Sequence, residues 1–189
     1  MKKMTALALA LAMVLTLFAG CGKAEPQETV PAKPMPASAL EILETVWGSY
    51  AEDEKFAIIG GDMGNPVDGA PGNYNIADEN ISYSLLIPAE QLGYVTEAAS
   101  MIHMMNANTF TCAAFKLTGT TAADFGAAMK EAILSNQWMC GFPDSLHIRA
   151  IGDQYVIVAF GVNDAMTPFE THLAEAYAGS EIIASEPIV

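Results

Sequence analysis

The chain has 189 residues, 22 of them acidic against eight basic, giving a net charge of −14 at neutral pH. The cations beyond the first three residues (Lys23, Lys33, Lys55, Lys116, Lys130 and Arg149) are scattered and form no stripe, so binding to nucleic acid is excluded as a function class. An anionic lipid surface is repelled for the same reason, so membrane attachment has to come from something other than charge.

The first element is a leader. Lys2 and Lys3 precede an uncharged run from Met4 to Phe18, a positive start followed by about fifteen apolar residues, short of the ~20 that a spanning helix needs. The run ends in "FAGC", residues 18–21, which resembles the bacterial lipobox, where a cysteine thiol takes a diacylglyceryl group and the peptide is cut just before it. Ala19 and Gly20 are the small residues at the cut and Cys21 is the thiol, while Phe18 stands where that pattern prefers leucine. The resemblance implies a signal peptide over 1–20 and lipidation at Cys21. The protein would then be held on the outer, extracellular face of the cytoplasmic membrane, with the membrane a partner through that lipid alone. Without residues 1–20, six basic residues face the same 22 acidic ones, a net charge of −16.

Residues 21–37 contain Pro26, Pro31, Pro34 and Pro36 with no apolar periodicity, which predicts an extended linker reaching up to ~50 Å. Residues 38–179 are then a single domain, long enough to bury ~70% of its unfolded surface without disulfides or metals. "SALE" at 38–41 is a capping box opening a helix whose apolar face is Leu40, Leu43, Val46, Trp47 and Tyr50. "FAIIGG" at 56–61 suits a short strand, and "GDMGNPVDGAPGNYN" a long loop. "YVTEAASM" at 94–101 pairs as a strand with "TFTCAAFKL" at 109–117 across a turn near Asn106–Asn108, although the spacing of Leu92, Val95, Ala99 and Ile102 also fits a helix. "TAAD" at 121–124 starts a helix with the stripe Phe125, Met129, Ala132 and Ile133, stopped by Gly141. "SLHIRAIGDQYVIVAFG" is a hairpin about Gly152-Asp153. "TPFE" at 167–170 starts the last helix with Pro168 in its first turn, Phe169, Leu173 and Tyr177 inward and Gly179 at its end. Residues 180–189 are a tail or a final edge strand.

The fold class that follows is α+β: an antiparallel sheet of two hairpins, each followed by a helix, with a further N-terminal helix, and all helices packed on one face. The two hairpin–helix units overlay weakly, Phe125 on Phe169 and Met129 on Leu173, a match that most pairs of amphipathic helices would share. Taken with the lipobox and the proline linker, "SMIHMMNANTFTCAAFKLTG" and "GDQYVIVAFGVND" look like a family of small Gram-positive, clostridial-type lipoproteins carrying a domain of unknown function. The resemblance implies a surface lipoprotein and brings no catalytic residues with it.

Candidate chemistry is sparse. In "MIHMM" an extended chain puts Met101, His103 and Met105 on one face, a soft ligand set suited to Cu(I), against the alternative of core packing. Once Cys21 is modified, Cys112 and Cys140 are the remaining thiols, either bridged or free, with His147 the nearest base in sequence. Asp62, Asn65 and Asp68 offer oxygen ligands but not at EF-hand spacing. There is no G-x-S-x-G and no phosphate loop, and no cofactor is implied. The sequence therefore favours a non-catalytic module that binds a protein or wall ligand at the cell surface. The alternative is a tethered enzyme, such as a hydrolase of wall or peptide substrates.

Overall fold

The computed structural model describes residues 35–188; the segment expected to be a signal peptide, Cys21 and most of the expected linker lie outside the described residues. Helix α1 (Ala39–Gly48) begins as its sequence demands. Ser38 caps it by accepting the Glu41 N–H at 3.1 Å, while the Glu41 carboxylate reaches back one residue further than a standard capping box, to the Ala37 N–H at 2.7 Å. Three short strands follow, β1 (Ile58–Gly60), β2 (Val67–Asp68) and β3 (Gly72–Tyr74). Helix α2 (Ile81–Ser84) is a single turn, and a 3₁₀ segment (Ala89–Tyr94) leads into β4 (Val95–His103). The rest of the chain runs β5 (Phe110–Leu117), α3 (Ala122–Leu134), β6 (Ser145–Ile151), β7 (Tyr155–Gly161), α4 (Asn163–Ala176) and β8 (Glu181–Pro187).

All eight strands form one antiparallel sheet in the order β2-β1-β4-β5-β7-β6-β8, with β3 also paired to β4. This is the α+β class with an N-terminal helix that the sequence predicts. The ambiguous stretch over 94–105 is a strand from Val95 to His103, because its partner β5 is apolar on both faces and needs a neighbour on each edge. The predicted long loop carries β2 and β3, whose pleat is too short to register as alternation. Residues 181–187 are an edge strand on β6 rather than a tail.

The helices do not share one face. Ile42, Leu43, Val46 and Trp47 of α1 and Met166, Phe169 and Leu173 of α4 pack with Met101, Cys112, Ile157 and Ala159 on one side of the sheet. Phe125, Met129 and Ile133 of α3 pack with Phe115, Leu146, Ile148, Val156 and Val158 on the other. Topology explains why. The β5–α3–β6 and β7–α4–β8 connections each cross in the same direction along the sheet, yet β5 and β7 run antiparallel. Crossovers of a single hand, starting from oppositely directed strands, must pass over opposite faces. The same result separates the two hairpin–helix units: a two-fold axis exchanging β5 and β7 would keep both helices on one face.

Each of the valine, leucine, isoleucine, methionine and phenylalanine side chains among these contributes ~1.5–3 kcal/mol. Aromatic edges reinforce the α4 side, with Phe110 against Phe169 at 5.5 Å and against Phe56 at 5.3 Å.

Candidate functional site

Helix α3 ends at Leu134, seven residues before the glycine that the sequence marks as its stop. Ser135, whose N–H donates to the Glu131 carbonyl at 3.0 Å, and Asn136 favour turns over helix, and both come before any further stripe residue can hold the helix to the sheet. The freed segment, 135–144, forms one wall of a cleft at the end of the sheet where β4 and β7 finish and β5 begins. The opposite wall is Tyr83, Ser84 and Leu86, and the floor is Ile102, Thr111 and Phe160. The cleft has a volume of about 430 Å³, within the range of small-ligand sites, and among the described residues no carboxylate, lysine or arginine lines it.

Three observations mark it apart from ordinary surface. Tyr83 (86% exposed), Met105 and Met139 (85% exposed) leave large apolar side chains in water around its mouth. Leu86, in its wall, has φ 55°, a left-handed conformation that a side chain bearing Cβ adopts only at a cost. Trp138 packs on Phe160 at 5.4 Å, and its indole N–H is enclosed without an acceptor.

The residues singled out by sequence distribute themselves unevenly about this cleft. Met101 is wholly buried in the core beneath α1. His103 closes β4, stacks on Phe56 at 5.1 Å, and accepts the Met105 N–H at Nδ1 over 2.9 Å. Burial pushes the His103 imidazole below its ordinary pKa, so it is neutral near pH 7, with its proton on Nε2 and its lone pair taken. Met105 lies on the cleft. The three therefore do not make one ligand face. Among the described residues, no three of His, Cys, Asp and Glu gather as a metal site.

Both thiols are free: Cys112 is buried in the core, where burial, with Glu170 adding to it, raises its pKa well above the ordinary value, while Cys140 is exposed on the cleft. The Asp62 carboxylate is spent on its own loop. It accepts the N–H groups of Gly64 at 2.8 Å, Asn65 at 2.9 Å and Asn75 at 3.0 Å, and these bonds, Asn75 foremost, hold it below the usual carboxylate range against the opposing effect of burial. Asp62 thus organises the 61–75 segment.

A second cluster was not legible in sequence. Glu170 of α4 lies over β6, where its Oε2 accepts from Arg149 Nε at 2.8 Å with His147 Nδ1 at 3.5 Å, and Arg149 also donates to Ser180 Oγ at 3.3 Å. His147 is thereby committed to a carboxylate and is not the base of a buried thiol. The arrangement clamps α4 and the start of β8 to β6.

Comparison with protein-family models, with curated proteins and with solved structures finds no match for this chain.

Proposed function

We propose that the protein is a non-catalytic binding module, lipid-anchored through Cys21 on the outer face of the cytoplasmic membrane, whose cleft takes an apolar group of an extracellular protein or wall ligand. The observation that carries the binding role is the uncharged cleft with a rim of exposed Tyr83, Met105 and Met139. Apolar surface left in water repays burial at roughly 25 cal/mol per Å². The methionines, being unbranched, adapt to an occupant's shape. The anchor rests on the lipobox-like "FAGC" and on the apolar run before it. No helix among the described residues is long and apolar enough to cross a membrane.

The tethered-enzyme alternative has one observation in its favour, that Cys140 and His103 line the same cleft. Against it, the His103 Nδ1 lone pair is already bonded to the Met105 N–H, so the imidazole is not free to take a thiol proton there.

The chain has two tryptophans, Trp47 in the core and Trp138 in the cleft wall, so a Trp47→Phe background isolates the reporter. Titration with N-phenyl-1-naphthylamine, a neutral apolar dye, is expected to raise and blue-shift dye emission while quenching Trp138. Tyr83→Asp/Met139→Asp alters only exposed side chains and should weaken the dye by about tenfold or more. Equal affinity in that variant would end the cleft reading.

A further inference from the structure

The sequence joins Met101, His103 and Met105 as one soft ligand set; the fold dissolves it and assembles another. Of the three, Met105 alone is exposed, and it lies on the same cleft as Met139 and Cys140 from the α3–β6 connection. We infer that the mouth of this cleft is a soft-metal site for Cu(I), held by Met105 Sδ, Met139 Sδ and Cys140 Sγ. The inference goes beyond the apolar-ligand role and does not depend on it.

Donor chemistry selects the ion. Thioether and thiolate sulfur favour Cu(I), whereas Mg²⁺, Ca²⁺ and Mn²⁺ need oxygen, and no carboxylate among the described residues lines the cleft. The net charge of −14 raises the local concentration of any cation without supplying a competing hard site at the mouth. All three side chains are exposed, Met139 at 85% and Met105 at 57%, and methionine's unbranched stem lets both sulfurs turn toward the Cys140 sulfur. Copper enters already reduced: Cu(I) displaces the Cys140 S–H proton, which leaves to water, and no electron moves. His103 is a positioning residue here, not a donor, because its Nδ1 fixes the main chain of Met105.

The test uses the full chain in detergent with Cys21→Ser, leaving Cys112, buried in the core, and Cys140 as its thiols. Cu(I) alone is supplied under reducing, anaerobic conditions in competition with the chromogenic chelator bicinchoninate. One Cu(I) per chain is expected. Cys140→Ser and Met105→Leu/Met139→Leu should each weaken binding by about tenfold or more. Leucine keeps the apolar surface, so dye binding should survive the double methionine variant. Met101→Leu, in the core, should leave copper affinity unchanged. The site is overturned if the triple Met105→Leu/Met139→Leu/Cys140→Ser variant binds copper as tightly as the parent. It is also overturned if Met101→Leu weakens binding as far as Cys140→Ser does. Loss of dye binding with copper binding intact would sink the apolar-ligand role alone, and the reverse would sink this site alone.

Discussion

Arg149 Nε donates to Glu170 Oε2 at 2.8 Å, and His147 Nδ1 stands 3.5 Å from the same oxygen, so a single carboxylate atom joins α4 to two residues of β6. Burial pushes the Glu170 carboxyl up, and the bonds from His147 and Arg149 more than reverse this, leaving it below its usual value. A depressed carboxyl contributes stability above the unfolded value, near 4.3, and loses it as pH falls through the folded one. Glu170→Gln should therefore cost about 1–3 kcal/mol in urea unfolding at pH 7. The gap from the parent should close as pH is lowered toward ~3. A gap that persists undiminished at that pH would assign the loss to packing instead.

Asp62 makes a different kind of tie, within one loop. Asp62→Ala removes the acceptor of three main-chain N–H groups and should speed amide hydrogen exchange at Gly64, Asn65 and Asn75, with the strands β6 and β7 unaffected. The expected loss of global stability is about 1–3 kcal/mol.

Two glycines should respond oppositely to the same change. A Cβ at Gly60 would fall 2.2 Å from the Gly72 nitrogen and 2.4 Å from the Ala70 carbonyl oxygen, atoms of main chain that cannot swing aside. At Gly93 it would meet nothing within 4 Å. Gly60→Ala should cost about 1–3 kcal/mol or disrupt the pairing of β1 with β2 and β4, while Gly93→Ala stays within about 0.5 kcal/mol. Thermal unfolding of the two variants side by side is the measurement.

The thiols should separate by rate. Iodoacetamide is expected to label Cys140 in the native protein and to reach Cys112 only on unfolding, since Cys112 has no exposed surface and burial holds it as the unreactive thiol. Peptide mapping before and after addition of guanidinium distinguishes them.

The anchor has its own measurement. Protein extracted from membranes of its native cells should begin at Cys21 with a diacylglyceryl mass on that residue, and Cys21→Ser should release it from the membrane fraction. An intact leader on the native chain would refute the proposed tether.

Much of the fold is legible locally. Ser38 and Thr121 cap the helices that they announce, the latter accepting the Asp124 N–H at 3.0 Å, and Gly152, with φ 58°, turns the β6–β7 hairpin where the sequence places the break. What escapes is decided at a distance. Helix α4 begins at Asn163, five residues before Pro168, because the Asn163 N–H is met at 2.8 Å by the Asp144 carboxylate, 19 residues back. The helix then tolerates a proline inside it, giving up one main-chain bond. The cleft escapes for a similar reason. Trp138, Met139 and Cys140 continue an apolar pattern that the sequence assigns to α3, yet in the fold Trp138 alone of the three reaches the sheet, at Phe160, while Met139 and Cys140 stay exposed. Glu170, one of 22 acidic residues, is distinguished by the two cations opposite it on β6, which no spacing rule connects to it.

The segment 135–144 is also the one covalent crossing from the β4–β5–α3 half of the domain to the β6–β7–α4–β8 half. The two halves are otherwise joined through the β5–β7 ladder, from Phe110↔Gly161 to Lys116↔Tyr155, and through contacts across both faces. A protease cut beside Met139 should therefore yield fragments that stay associated and can be recombined from separate polypeptides. The mouth of the cleft is in that sense a natural seam, a place to insert a reporter or divide the chain without unzipping the sheet behind it.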